Sequence, residues 1–206
     1  MVRGTLSIRK ALIVSSLAAG IMIATGCTSS SKDLSPDWSR NTDAVSRTAA
    51  LDTIEPGSKA EEAALAMFND FYAEYSLDAI RNGVRELYAE NAWFGDPFHI
   101  VEGIDDIEHY FLVMAEPVEN CTFTVDSIQR SGKDYFARWT MRLESSAAKG
   151  ELIETIGISH VRFNTDGKVV FQQDYWDTSA MLDRLPVVGY WTRLVKTKIS
   201  KGLEEK

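Results

Sequence analysis

The sequence predicts an α+β domain in which a strongly curved, mostly antiparallel sheet is closed on its concave face by three N-terminal helices. Three observations lead there. Apolar residues recur three times at helical spacing between residues 58 and 116. They alternate at strand spacing over a short stretch from Asn91 and then through most of residues 120–176, so most of the strands follow the helices. With 206 residues, 45% hydrophobic and 25% charged, the chain has material for one core plus appendages.

The first helical pattern opens at Ser58, with Glu61 three residues on as a capping box, and carries Phe68, Phe71, Tyr72 and Tyr75 on one face. Ile80, Val84 and Leu87 repeat the spacing after a short break. From Asn91 the period changes to two. Ala92, Phe94, Asp96 and Phe98 then share a strand face that ends near Pro97, a residue with no backbone donor for a ladder. Gly103 precedes the third helical pattern, Ile104, Ile107, Phe111 and Met114, which stops at Glu116-Pro117.

The remainder reads as strands. Residues 121–131 alternate. Tyr135, Ala137, Trp139, Met141 and Leu143 then face one way against Arg138, Thr140, Arg142 and Glu144. A long strand over 151–163 follows, and Asn164-Thr165-Asp166-Gly167 marks a hairpin into a last strand over 168–176. The tail puts Val187, Val188, Trp191, Leu194, Val195 and Ile199 on one helical face, with Arg193, Lys196, Lys198 and Lys201 over much of the rest. Packing on the domain, or on a second subunit as in a homodimer, is the favoured use of that face; an anionic membrane surface is the alternative.

The N-terminus reads as an export signal. Arg3, Arg9 and Lys10 precede an apolar run over 11–23, and Ala24-Thr25-Gly26-Cys27 follows. These residues resemble a bacterial lipobox, with Ala24 where leucine is commonest. The resemblance implies lipidation of Cys27, removal of residues 1–26, and, with Thr28 rather than aspartate next, the outer membrane of a Gram-negative envelope. Residues 27–57 are expected to form a lipidated polar tether without sustained period, and 58–206 the domain with its C-terminal amphipathic helix. From residue 27 onward 19 basic residues stand against 30 acidic ones, a formal charge of -11, which argues against nucleic acid as a partner. Cys121 then has no cysteine to pair with and reads as a small strand residue.

Leu87-Tyr88-Ala89-Glu90-Asn91-Ala92 leading to Gly95-Asp96-Pro97, then Val101-Glu102-Gly103, and later His160-Val161-Arg162-Phe163-Asn164 with Gly167-Lys168-Val169-Val170, resemble the nuclear transport factor 2-like superfamily. That group includes ketosteroid isomerases and SnoaL-like polyketide cyclases. The resemblance spans about residues 60 to 178 and implies a conical half-barrel with a pocket at its wide end, the cystatin-like architecture. It also implies roles. Asp96 stands where ketosteroid isomerases keep their general base, and Tyr72 where they keep an oxyanion-hole donor. Ser159 stands in place of their second donor, an aspartic acid, which weakens that match. His160 and Asp174 resemble the acid/base pair of the cyclase branch.

A carboxylate on an apolar strand face must be paired, protonated or in use, so Asp96 is a candidate on physical grounds as well. Its other reading is a turn carboxylate accepting backbone bonds. Tyr72 also reads as a core aromatic, and His160 as a satisfied sheet histidine. If residues 165–167 form a three-residue loop, His160 faces the same way as Gln172 and Asp174; a shift of one residue substitutes Ser159. Phe94, Trp139, Gln172 and Trp176 are expected to line the pocket with Ser159. His99 and His109 lack ligand spacing, so a metal site is not expected. Three functions remain open: cofactor-free proton transfer on a small apolar carbonyl compound, binding of a small apolar ligand without chemistry, or a protein-assembly scaffold.

Overall fold

A computed structural model describes residues 38–204, apart from 149 and 186. The signal segment, Cys27 and the first part of the tether lie outside the described residues. Ser58 caps helix α2 (Lys59–Ala73) by accepting from the Glu61 amide at 3.1 Å, while the Glu61 carboxylate takes the Gly57 amide. Ser76 caps α3 (Leu77–Leu87) in the same way through the Ala79 amide. Strand β1 (Tyr88–Gly95) follows directly, then the short β2 (Ile100–Glu102) and α4 (Ile104–Ala115). Gly103 enters α4 with φ of 90°, a backbone conformation that side-chained residues rarely adopt.

Four strands complete the sheet: β3 (Val118–Ser131), β4 (Asp134–Ser145), β5 (Leu152–Phe163) and β6 (Val169–Trp176). Their spatial order is β2-β1-β6-β5-β4-β3, antiparallel throughout except where β1 runs parallel to β6. The sheet is therefore mixed, curved and open. Register shifts in β3, near Asp126, and in the β5–β6 pair add local twist to these long strands.

The concave face holds the main core. Phe68, Ile80, Val84, Ile107 and Phe111 from α2, α3 and α4 meet Phe94, Ala137, Val161 and Phe163 from the sheet. Towards the other end of β4 a second cluster joins Cys121, Trp139, Met141, Leu143 and Ile153, with Ala180 and Met181 of the short α5 (Ser179–Leu182) against it.

Two expectations change. Within the expected tether, residues 38–49 form a helix, α1 (Trp38–Ala49), on the opposite sheet face. Its periodicity is short and polar, and only the sheet supplies its partners. Ala44 packs with Trp93, Ile100 and Phe171, while buried Arg162 binds the Val45 carbonyl and Thr48 Oγ1. The tail is a helix as expected, α6 (Val188–Glu204), but its apolar face is uncovered. Trp191 is 61% exposed and Ile199 60%, because the helix is held from its polar side, where Asp183 receives Thr192 and Lys196. Among the described residues no helix is long and apolar enough to cross a membrane.

Candidate functional site

The core is not filled solid. Between α2, α4 and the strands β3, β4 and β6 lies a cavity of about 100 Å³, lined by aromatic and thioether side chains and by two carboxylates, Asp96 and Asp174. Phe94, Trp139, Trp176 and Tyr72 stand in its wall.

Asp96 stands immediately after β1, where the chain turns at Pro97. Both of its readings apply. Oδ1 accepts the Phe98 and His99 amides at 2.8 and 2.9 Å, which holds the turn, while Oδ2 accepts the Tyr110 hydroxyl at 2.8 Å. Burial nevertheless outweighs those bonds and raises its pKa above the ordinary carboxylate range.

Asp174 lies on β6 beneath the helices. Oδ1 accepts Ser159 Oγ at 2.6 Å and Gln172 Nε2 at 2.9 Å; no group among the described residues donates to Oδ2. Desolvation pushes its pKa up to about 7, against the two hydrogen bonds that favour the anion, and the neighbouring Asp96 charge pushes the same way as burial. A carboxyl so placed exchanges a proton near neutral pH.

A chain of hydrogen bonds supports it. Trp139 Nε1 donates to Ser159 Oγ at 2.9 Å. Gln172, fully buried, gives Nε2 to Tyr72 and to Asp174, and its Oε1 accepts the Tyr88 hydroxyl at 2.7 Å. Since Tyr88 spends its one hydrogen on Gln172, the 2.7 Å contact between Tyr72 and Tyr88 requires Tyr72 to donate. The Tyr72 hydrogen is therefore committed within the wall, a correction to its expected role as donor to an oxyanion.

His160 is the larger correction. The hairpin loop has the expected length, with the Asn164 amide bonded to the Lys168 carbonyl. Val170, however, is bulged out of the β5–β6 pairing, so that Arg162 faces Phe171 and Ser159 faces Asp174, while His160 is paired with Gln173. His160 consequently points to the α1 side, where Nε2 meets Asp134 Oδ1 at 2.6 Å and the ring stacks on Phe136. It does not join the cavity, and the side chain beside Asp174 is Ser159.

Tyr88 and Tyr110 escaped the reading of the sequence. Tyr88 sits at the helix-to-strand junction, where neither period selects a face. Tyr110 is next to Phe111 on α4, and its hydroxyl reaches Asp96 only because the helix crosses the end of β1. Cys121 lines the cavity with its thiol pushed up to about 12 by burial, which keeps it protonated. Among the described residues no three His, Cys, Asp or Glu side chains gather in a way that could hold a metal ion.

Comparison with known proteins decides the family. Residues 64–172, more than half of the chain, match the SnoaL-like domain. The chain belongs to the SnoaL-like domain family. Solved structures with this fold include a provisionally assigned SnoaL-like polyketide cyclase from Jannaschia sp. CCS1 at TM-score 0.55 and 15% identity, covering 65% of this chain and 98% of that one. A protein with a ketosteroid isomerase-like fold from Catenulispora acidiphila, in complex with trimethylamine, matches at TM-score 0.51 and 16% identity over 60% of this chain and 93% of that one. An NTF2-like protein of unknown function from Burkholderia pseudomallei matches at TM-score 0.52 and 16% identity over 63% of this chain and 100% of that one. A comparison with curated proteins gives no significant match. At these identities the neighbours establish the SnoaL-like fold, and the chemistry rests on the residues above.

Proposed function

We propose that this SnoaL-like domain holds a small, largely apolar molecule in its cavity and exchanges a proton with it through Asp174, with Asp96 and Tyr110 as a second polar contact. One observation carries this reading: a carboxyl among apolar walls, with Oδ2 unbonded among the described residues, which desolvation pushes up to about 7. The trimethylamine complex of the Catenulispora acidiphila protein supports small-ligand binding as a use of this fold. The reading is tested by extracting what co-purifies with the chain and following its displacement and turnover. Asp174→Asn should abolish proton transfer; unchanged turnover would leave binding alone.

We also propose that the domain is anchored in the cell envelope through lipid on Cys27. The uncovered apolar face of α6, with Lys198 and Lys201 on the same helix, supports contact with an anionic bilayer. A palmitate analogue supplied to cells should label the wild-type chain and not Cys27→Ser. Equal labelling of both would remove the anchor.

A further inference from the structure

The cavity wall has a chemical bias that proton exchange does not require. Of the sixteen described residues that line it, eight are aromatic, two are carboxylates and none is Lys, Arg or His. All three tyrosine hydroxyls on the wall already donate elsewhere: Tyr72 to Tyr88, Tyr75 to the Phe111 carbonyl, Tyr110 to Asp96. Ser159 likewise spends its hydrogen on Asp174. These groups therefore present acceptor oxygens and π-electrons, and the hydroxyl donors that a ligand carbonyl or carboxylate would need are taken.

Resting on the reading of this cavity as a ligand site, we propose that its ligand is an organic cation, a protonated amine or quaternary ammonium whose head sits between Asp96, Asp174 and the aromatic rings. Such a head is attracted by ring faces and by carboxylates alike, and desolvation in a narrow apolar site strengthens both. An anion would meet two carboxylates without a counter-charge. A neutral guest would leave the repulsion between Asp96 and Asp174 unrelieved, whereas a cation relieves it. The volume, about 100 Å³, suits a head group of a few heavy atoms.

The pH dependence follows. Asp174 is faced by Ser159 on β5, Gln172 on β6, Asp96 after β1, Tyr72 on α2, Tyr88 on β1 and Tyr110 on α4. None of these bears a positive charge, so ionised Asp174 is available to a cation. Affinity for a permanent cation should rise as pH passes through about 7 and Asp174 loses its proton.

The test compares cations with their neutral carbon isosteres on the full-length chain: choline against 3,3-dimethylbutan-1-ol, and tetramethylammonium against neopentane. Tryptophan fluorescence and calorimetry at pH 6 and pH 8 provide the readout. We expect the cations to bind about ten-fold or more tightly than their isosteres at pH 8, with a smaller ratio at pH 6. Asp174→Asn should bring the ratio towards one while the neutral alcohol still binds, which shows the cavity intact. Equal binding within each pair, or tighter binding of the neutral member, would overturn the cation and leave the ligand site standing. Failure of every probe at millimolar concentration would overturn both.

Discussion

Asp174 is the residue at which stability and the proposed function oppose each other. Its carboxyl is raised from 3.8 to about 7, chiefly by desolvation, so the folded state binds a proton that the unfolded chain releases. Its contribution to stability is thus fully present below 3.8 and is lost as pH rises through about 7. Asp174→Asn keeps an acceptor for Ser159 and Gln172 and removes the charge. It should stabilise the domain by roughly 2 to 4 kcal/mol above pH 7 and by little at pH 4, measured by denaturant unfolding at both values. A variant no more stable at pH 8 than at pH 4 would show that the carboxylate is solvated in the folded state. Asp96 was legible as an oddity in the sequence because a carboxylate shared a face with phenylalanines. Asp174 was legible only through family resemblance, since its period and neighbours are those of an ordinary strand.

The β4–β5–β6 unit shows how elements shape the cavity. Gly157 lies opposite Trp139 on β4 and Trp176 on β6. A Cβ at Gly157 would stand 2.4 Å from the Trp139 ring and 2.8 Å from Trp176 Cβ, so the missing side chain lets the Trp139 ring lie back against the sheet. Gly157→Ala should push that ring into the cavity, costing about 1 to 3 kcal/mol and abolishing binding of choline-sized probes. Unaltered affinity would place the ligand elsewhere. On the same hairpin, turn chemistry at Asn164 and Gly167 was readable, and alternation identified both strands. The bulge at Val170 was not: nothing about a valine between Val169 and Phe171 marks it as the extra residue. A shift of one position put Ser159 at the site in place of His160.

For the molecule as a whole, α1 and the sheet are joined through Arg162, a buried side chain that also pairs with the partly buried Asp134. Arg162, 7% exposed, binds Asp134 Oδ1 at 2.6 Å and Thr48 Oγ1 at 2.9 Å, and His160 shares the same carboxylate oxygen. Desolvation raises the Asp134 pKa, but Arg162 and His160 more than offset it and hold the value below 3.8. This contribution is therefore present above pH 3.8 and is lost as pH falls through the lowered value. Arg162→Ala leaves Asp134 without its permanent counter-charge and should cost about 3 kcal/mol, with amide exchange accelerated first in residues 38–49. Protection of those amides equal to wild type would mean that the other ties, Ala44 packing, Asn41 on Gln173 and Arg47 on Glu102, secure α1. By itself the sequence determined the α+β class, the three helices over the concave face, the strand succession and the apolar wall with Asp96, because periodicity and turn chemistry are local. Tertiary structure decided the docking of α1, the outward face of α6, the hydrogen-bond partners of Tyr88 and Tyr110, and the choice of Ser159 over His160. Each depends on register or on contacts between residues distant in the chain, and no local spacing encodes them.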